Sequence, residues 1–336
     1  MSNNYPGWRG FSALLLLMYL TLMPQIVSAG GACSAAGSDC VAVGEWQFSV
    51  GVGLGVRTNP LLDGDDLPIL VLPEVNYYGE RFFWDTTTLG FTLLDSPHHM
   101  INLVATAGLD HMYFHDWSLG NFVIESAGSG YTISAAPLES ADDEVESAPE
   151  PRDETRNPNI IDPDGPNEFF HKTTLRSDAE LGNRMAAFDL RPRRLTGLAG
   201  VEYGYYRGNT SVSVQGLQEF TGYHDGQEVR FGIDQRVNLG PGELTMALGA
   251  VWQSAEVVDY FYGLNLDEVS GQPDLVYQAG DSVTPYARID WRQPLSRRWT
   301  LQLTVHNKWF GSAITASPLV DEASSTSVFA GGVYHF

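Results

Sequence analysis

The chain has little cysteine, little positive charge and, beyond its first segment, no long apolar run. Each shortage excludes something. Two cysteines, Cys33 and Cys40, in 336 residues leave no CxxC pair and no thiolate metal set. In an exported chain they point to a small-loop disulfide between Cys33 and Cys40, with lipid modification of Cys33 as the alternative. Only 19 Lys+Arg stand against 41 Asp+Glu. That balance argues against nucleic acid, which is bound by cationic side chains that displace counterions. No stretch after residue 23 approaches the roughly 20 apolar residues a membrane-spanning helix needs.

The first segment reads as a secretory signal. Arg9 is its positive end, "ALLLLMYLTLM" (13–23) its apolar centre, and "VSA" (27–29) a small-residue cleavage site. The expected organisation is a signal at 1–29, a periplasmic segment at 30–45 and one β domain over 46–336. The segment 1–29 holds one arginine and no acid, so the mature charge is 18 minus 41, or −23.

What is there is alternation. In "WTLQLTVHNKW" (299–309), Trp299, Leu301, Leu303, Val305 and Trp309 share one parity. Thr300, Gln302, Thr304, His306 and Lys308 share the other. Side chains of a strand alternate faces, so this is a strand with one apolar and one polar face. The pattern recurs in "WQFSVGVGLGVR" (46–57), "VRFGIDQRVNL" (229–239), "ELTMALGAVW" (243–252) and "VTPYARIDW" (283–291). The segments run about ten residues, the length of a tilted strand crossing a bilayer. Trp46, Trp252, Trp299 and Trp309 stand at strand ends, as in interfacial girdles. The final "SVFAGGVYHF" puts Tyr334 and Phe336 on a terminal aromatic strand, which resembles the signal read by barrel-assembly machinery.

The expected fold is therefore all-β: a transmembrane antiparallel up-and-down barrel of about 12 strands, within 10–14, in the bacterial outer membrane with lipid on its apolar face. Short turns at 77–80, 207–209, 240–242 and 293–296 face the periplasm, and long loops at 58–66, 254–280 and 310–324 face outside. Eleven strands are evident, with 81–93 taken as one. Even closure demands a twelfth, placed within "MYFHDWSLGNFVI" (112–124).

The stretch 125–170 has no period and carries twelve acids against two arginines. Such composition cannot bury enough apolar surface to offset the entropy of ordering. A mobile, acidic external loop is expected over about 125–180. "DPDG" (162–165) lacks the further ligands of a calcium loop, so no metal or cofactor is expected. His98, His99, His111 and His115 are expected at the rim or in the lumen, the last two about 13 Å apart on a strand at ~3.3 Å per residue. There is no G-x-S-x-G and no HExxH, and no enzyme is expected.

Charges of polar parity include Arg230, Asp234, Arg236, Arg288 and Asp290, with Glu202 and Lys308. They either pair and close a narrow lumen or line a selective pore. In the long loop at 254–264, Tyr260, Phe261, Tyr262 and Gly263 either anchor a partner or fold over the barrel mouth.

The run "SVGVGLGVRTNPLLDGDDLPILVLPEVNYYGERFFW", then "LGAVWQSAEVVDYFYGL", then the final aromatic strand resemble the MipA/OmpV family of outer-membrane barrels over 46–109 and 195–336. The resemblance implies a scaffold for murein-remodelling enzymes, a lytic transglycosylase (a murein hydrolase) and a bifunctional peptidoglycan synthase, with no catalytic residues to carry over. Members are also associated with passage of small solutes or antibiotics, and with adhesion, here through the acidic loop.

Overall fold

A computed structural model describes residues 43–115, 118–124 and 188–336. The signal segment, Cys33, Cys40 and the acidic stretch 125–170 lie outside the described residues.

The described chain closes into an antiparallel barrel. Its strands are β1 (Trp46–Arg57), β2 (Leu67–Pro68), β3 (Val71–Tyr78), β4 (Phe82–Asp85), β5 (Thr88–Asp95), β6 (His99–Gly108), β7 (Thr196–Arg207), β8 (Thr210–Glu219), β9 (Gln227–Leu239), β10 (Gly242–Gln253), β11 (Ser282–Pro294), β12 (Trp299–Trp309) and β13 (Ser324–His335). β2 and β3 both pair with β1 and form one interrupted strand, so the wall has twelve. Each strand pairs with its neighbour in sequence, and β13 closes on β1 from Ser49↔His335 to Arg57↔Ser327. Closure leaves no continuous edge to pair with another chain.

The parity of β12 settles which face is inside. Trp299, Leu303, Val305 and Trp309 are 41–46% exposed, while Thr304 is 0% and His306 4%. The barrel is inside-out relative to a soluble one: apolar residues form the outer belt and polar ones the interior. Trp46 packs on Tyr77 at 4.9 Å, and Trp299 on Tyr334 at 5.2 Å. These clusters belong to the rim with the short turns. Trp252 and Trp309 end their strands at the opposite rim. Long loops on an outer-membrane barrel face outside. No described helix is long and apolar enough to cross a membrane.

The twelfth strand is not where the pattern placed it. Residues 110–114 and 119–121 form short 3-10 turns. The extra strand comes from 81–93, which breaks into β4 and β5 about a two-residue turn at Thr86–Thr87. Trp84 faces lipid on even parity, and Leu89 and Phe91 on odd parity, so the facing switches at the turn. In "DTTTL" Asp85 is the one turn-favouring residue, with no Gly, Pro or Asn beside it, and Thr86 adopts φ 40.

Candidate functional site: a capped, charge-lined lumen

The predicted lumen charges all stand on the inward parity, and the structure pairs several of them within one strand. Residues two apart share a face, which puts Arg230 against Glu228 (Nη2 to Oε2, 2.9 Å) and Arg288 against Asp290 (Nη2 to Oδ1, 2.9 Å). Thr304 Oγ1 donates to the same Asp290 oxygen at 2.7 Å from the neighbouring strand. Asp234 accepts from Ser211 Oγ at 3.5 Å, and Glu202 from Gln215 Nε2 at 3.0 Å. Nearer the short-turn rim Arg292 lies 3.5 Å from Glu74. Arg236, on the inner face of β9, belongs to the same interior. Desolvating a charge is costly unless it is paired, so a narrow interior with both signs in alternate positions favours such pairs.

The outer mouth is closed by an apolar cap. Helix α1 (Ala255–Tyr262) and the short helix α2 (Ser312–Thr315) meet the 110–114 turn and the loop after β1. Met112, Val258, Phe261, Tyr262, Leu264 and Leu319 in this cluster are at most 1% exposed. Phe114 packs on Phe261 at 6.1 Å and Tyr113 on Phe310 at 6.0 Å. Of the four aromatic-loop residues singled out above, Phe261, Tyr262 and Gly263 are buried in this cap and Tyr260 is half-buried.

Three arginines, Arg191, Arg193 and Arg57, fasten the cap, and none has a pattern in the sequence that marks it. Arg193 donates to the carbonyls of Phe261 (3.1 Å) and Gly263 (2.9 Å) and to Glu268 Oε1 (2.9 Å). Glu268, 0% exposed, also accepts from Arg191 Nη2 at 3.2 Å and the Asn265 backbone N–H at 3.1 Å. Burial alone would raise its carboxyl. The Asn265 N–H, the Arg191 side chain and N–H, and the Arg193 charge outweigh burial and bring it down to about 2. Arg57, at the top of β1, donates to the carbonyls of Gly120 (2.7 Å) and Val123 (2.8 Å) and to Ser327 Oγ (2.9 Å). It pins 118–124 inside the mouth. A chain of hydrogen bonds, Asp110 to Gln253 (2.6 Å) to Glu228 (3.2 Å), joins cap and lumen.

His111 and His115 are not on a strand; their rings lie 5.8 Å apart across the 110–114 turn. Burial first, and the neighbouring His115 second, lower the His111 pKa. His99 bonds Tyr203 Oη at 2.8 Å near the short-turn rim. Tyr334 and Phe336 pack edge to face at 4.9 Å on that rim. Below the cap the interior holds a partly open cavity of about 150 Å³.

A family profile described as "MltA-interacting protein MipA" matches residues 50–336. The chain is 22% identical to the MltA-interacting protein of Escherichia coli K12 over 296 residues, 88% of this chain and 93% of that protein. It is 25% identical to the outer membrane protein OmpV of Vibrio cholerae over 159 residues, 47% of this chain and 61% of that protein. Among solved structures it is similar to an outer membrane channel from Pseudomonas putida F1, with TM-score 0.36 and 9% identity over 90% of this chain and 98% of that one.

Proposed function

This chain belongs to the family of the MltA-interacting protein MipA and resides in the outer membrane, and from that premise we propose that it works without catalysis, as a closed barrel that anchors peptidoglycan-remodelling enzymes. The observation that carries the reading is the apolar cap across the mouth. A pore needs an open path, whereas an anchor needs only a folded wall and a periplasmic rim. The cap and the paired interior charges suit the second.

The proposed partners are a lytic transglycosylase, in keeping with the name of the Escherichia coli relative, and a peptidoglycan synthase. The short-turn rim supports this. Arg81, Arg207, Arg297 and Arg298 are exposed there, on a chain of formal charge −22. Exposed Glu45, Glu80 and Asp95 stand on the same rim, so it offers a partner groups of both signs. Residues 30–45, expected beside the same rim, are the other proposed contact.

The test uses the refolded protein, immobilised in detergent and presented with each purified enzyme at physiological salt. Saturable binding that weakens when 30–45 are removed, or when the four arginines become glutamine, supports the anchor. No binding to either enzyme overturns it. A second reading, a narrow channel for small solutes or antibiotics, is favoured by the partly open cavity, whose lining includes Glu228, Arg230, Arg288 and Lys308.

A further inference from the structure

We propose that the lumen below the cap binds a small zwitterion of the α-amino acid class. The inference goes beyond both readings of the barrel and depends on neither, since it requires only that a solute reach the cavity, which is partly open.

Charge is distributed unevenly around the wall. Strands β3–β8 contain no lysine and a single arginine, Arg207, which is exposed at the short-turn rim. Their inward faces carry Glu74, Asp85 and Glu202. Strands β9–β12 carry five cations, Arg230, Arg236, Arg288, Arg292 and Lys308, all on the inward parity. In a closed wall of twelve strands each strand faces the one six places on. β3 therefore faces β9, β4 faces β10 and β6 faces β12. An acidic arc and an arc rich in cations stand on opposite sides of the lumen. Arg292 bridges them, 3.5 Å from Glu74.

The cavity lies between these arcs. Glu74, Asp85 and Asp110, the last just beyond β6, line its acidic side, and Glu228 adds a fourth carboxylate. Arg230, Arg288, Arg292 and Lys308 supply four cations. Four minus four leaves the lining with no formal net charge. A lone ion gains from one wall and loses to the other. An apolar occupant deprives the charged groups of water and returns no hydrogen bond. A solute with a charge at each end is stabilised by both walls, through charge-assisted hydrogen bonds.

Two buried polar atoms on the lining point the same way. Gln215 Oε1 and Thr284 Oγ1 have no hydrogen-bond partner among the described residues, although Gln215 is 2% and Thr284 5% exposed. Buried polar groups are normally satisfied. Gln215 Nε2 already donates to Glu202 at 3.0 Å, which leaves the amide oxygen to accept from an ammonium group. The Thr284 hydroxyl, on the same strand as Arg288, can donate to a carboxylate. A cavity of about 150 Å³ takes a group the size of benzene, and L-serine is close to that size.

The test is equilibrium dialysis of the refolded full chain, in detergent at pH 7, against radiolabelled L-serine. The expected result is saturable binding that unlabelled L-alanine displaces and that propionate, ethylammonium and glycerol at the same concentration do not. Lys308→Met and Asp110→Asn put the lining one charge out of balance in opposite directions. Each should weaken L-serine binding about tenfold, equivalent to ~1.4 kcal/mol. Lys308→Met should gain affinity for ethylammonium, and Asp110→Asn for propionate. A variant that merely loosened the barrel would not move those preferences in opposite directions. No saturable binding of L-serine to the unmodified protein overturns the proposal, because water alone then satisfies the lining. So does displacement by propionate or ethylammonium as effective as by L-alanine, and so does unchanged binding in both variants. Heat-modifiable migration on gels verifies that the variants are folded; where one is not, the displacement series on the unmodified protein still decides.

Discussion

Arg193 shows what a single side chain does here. Its guanidinium is spent on two carbonyls of the α1 end and on Glu268. Arg193→Met leaves a buried carboxylate without one of its two arginine partners, and breaking such a pair typically costs about 3–5 kcal/mol. Urea titration followed by the gel-mobility shift should show that loss, whereas replacing exposed Arg194 should change little. Thr86 gives the opposite sign. A threonine at φ 40 is strained, and glycine adopts that conformation freely. Thr86→Gly should stabilise by roughly 0.5–1 kcal/mol. A destabilised Thr86→Gly barrel would mean the side chain matters more than the turn. Neither residue stands out in the sequence. Arg193 looks like any loop arginine, because its partners lie some 70 residues away. The Thr86 turn is concealed by three identical polar residues.

At the scale of elements, the strands were legible and the cap was not. Alternation is local, and lipid outside with polar groups inside gives it a high contrast, so apart from 81–93, which is two strands, and 112–124, which holds none among its described residues, strand limits read from the sequence fall within a few residues of those found. The cap is assembled from loops as far apart as Leu61 and Leu319 in the sequence, and its apolar positions have no common period. Only the aromatic run at 260–262 hinted at it. The cap also predicts a pH response. The His111 pKa is lowered by burial, and so is that of His224 beside α1. A histidine that stays neutral in the fold protonates first in the unfolded chain. Its contribution is therefore complete above about 6.5, the ordinary histidine value, and is lost as pH falls below it. Glu268 works in the same direction much lower, its contribution fading only as pH drops from the ordinary carboxylate range toward 2. Hydrogen exchange over 255–262, corrected for intrinsic rates, should be faster at pH 5 than at pH 7. His111→Gln should reduce that difference. Equal protection at the two pH values would show that the histidines do not control the cap.

For the whole molecule, the inside-out barrel accounts for the interfacial tryptophans and the alternating faces together, with no spanning helix among the described residues. Function is less legible than fold, since a wall of alternating residues serves anchors and pores alike. The interior bears on that choice through contacts no linear pattern contains: Arg230 with Glu228, Arg288 with Asp290, and an apolar lid above both. Ion conductance of the refolded protein in planar bilayers at neutral pH tests that distinction most directly. A folded, inserted protein that carries no stepwise current is the result the closed-barrel account predicts. Reproducible conductance steps whose ion selectivity shifts in Arg230→Glu would contradict it and make the lumen a channel.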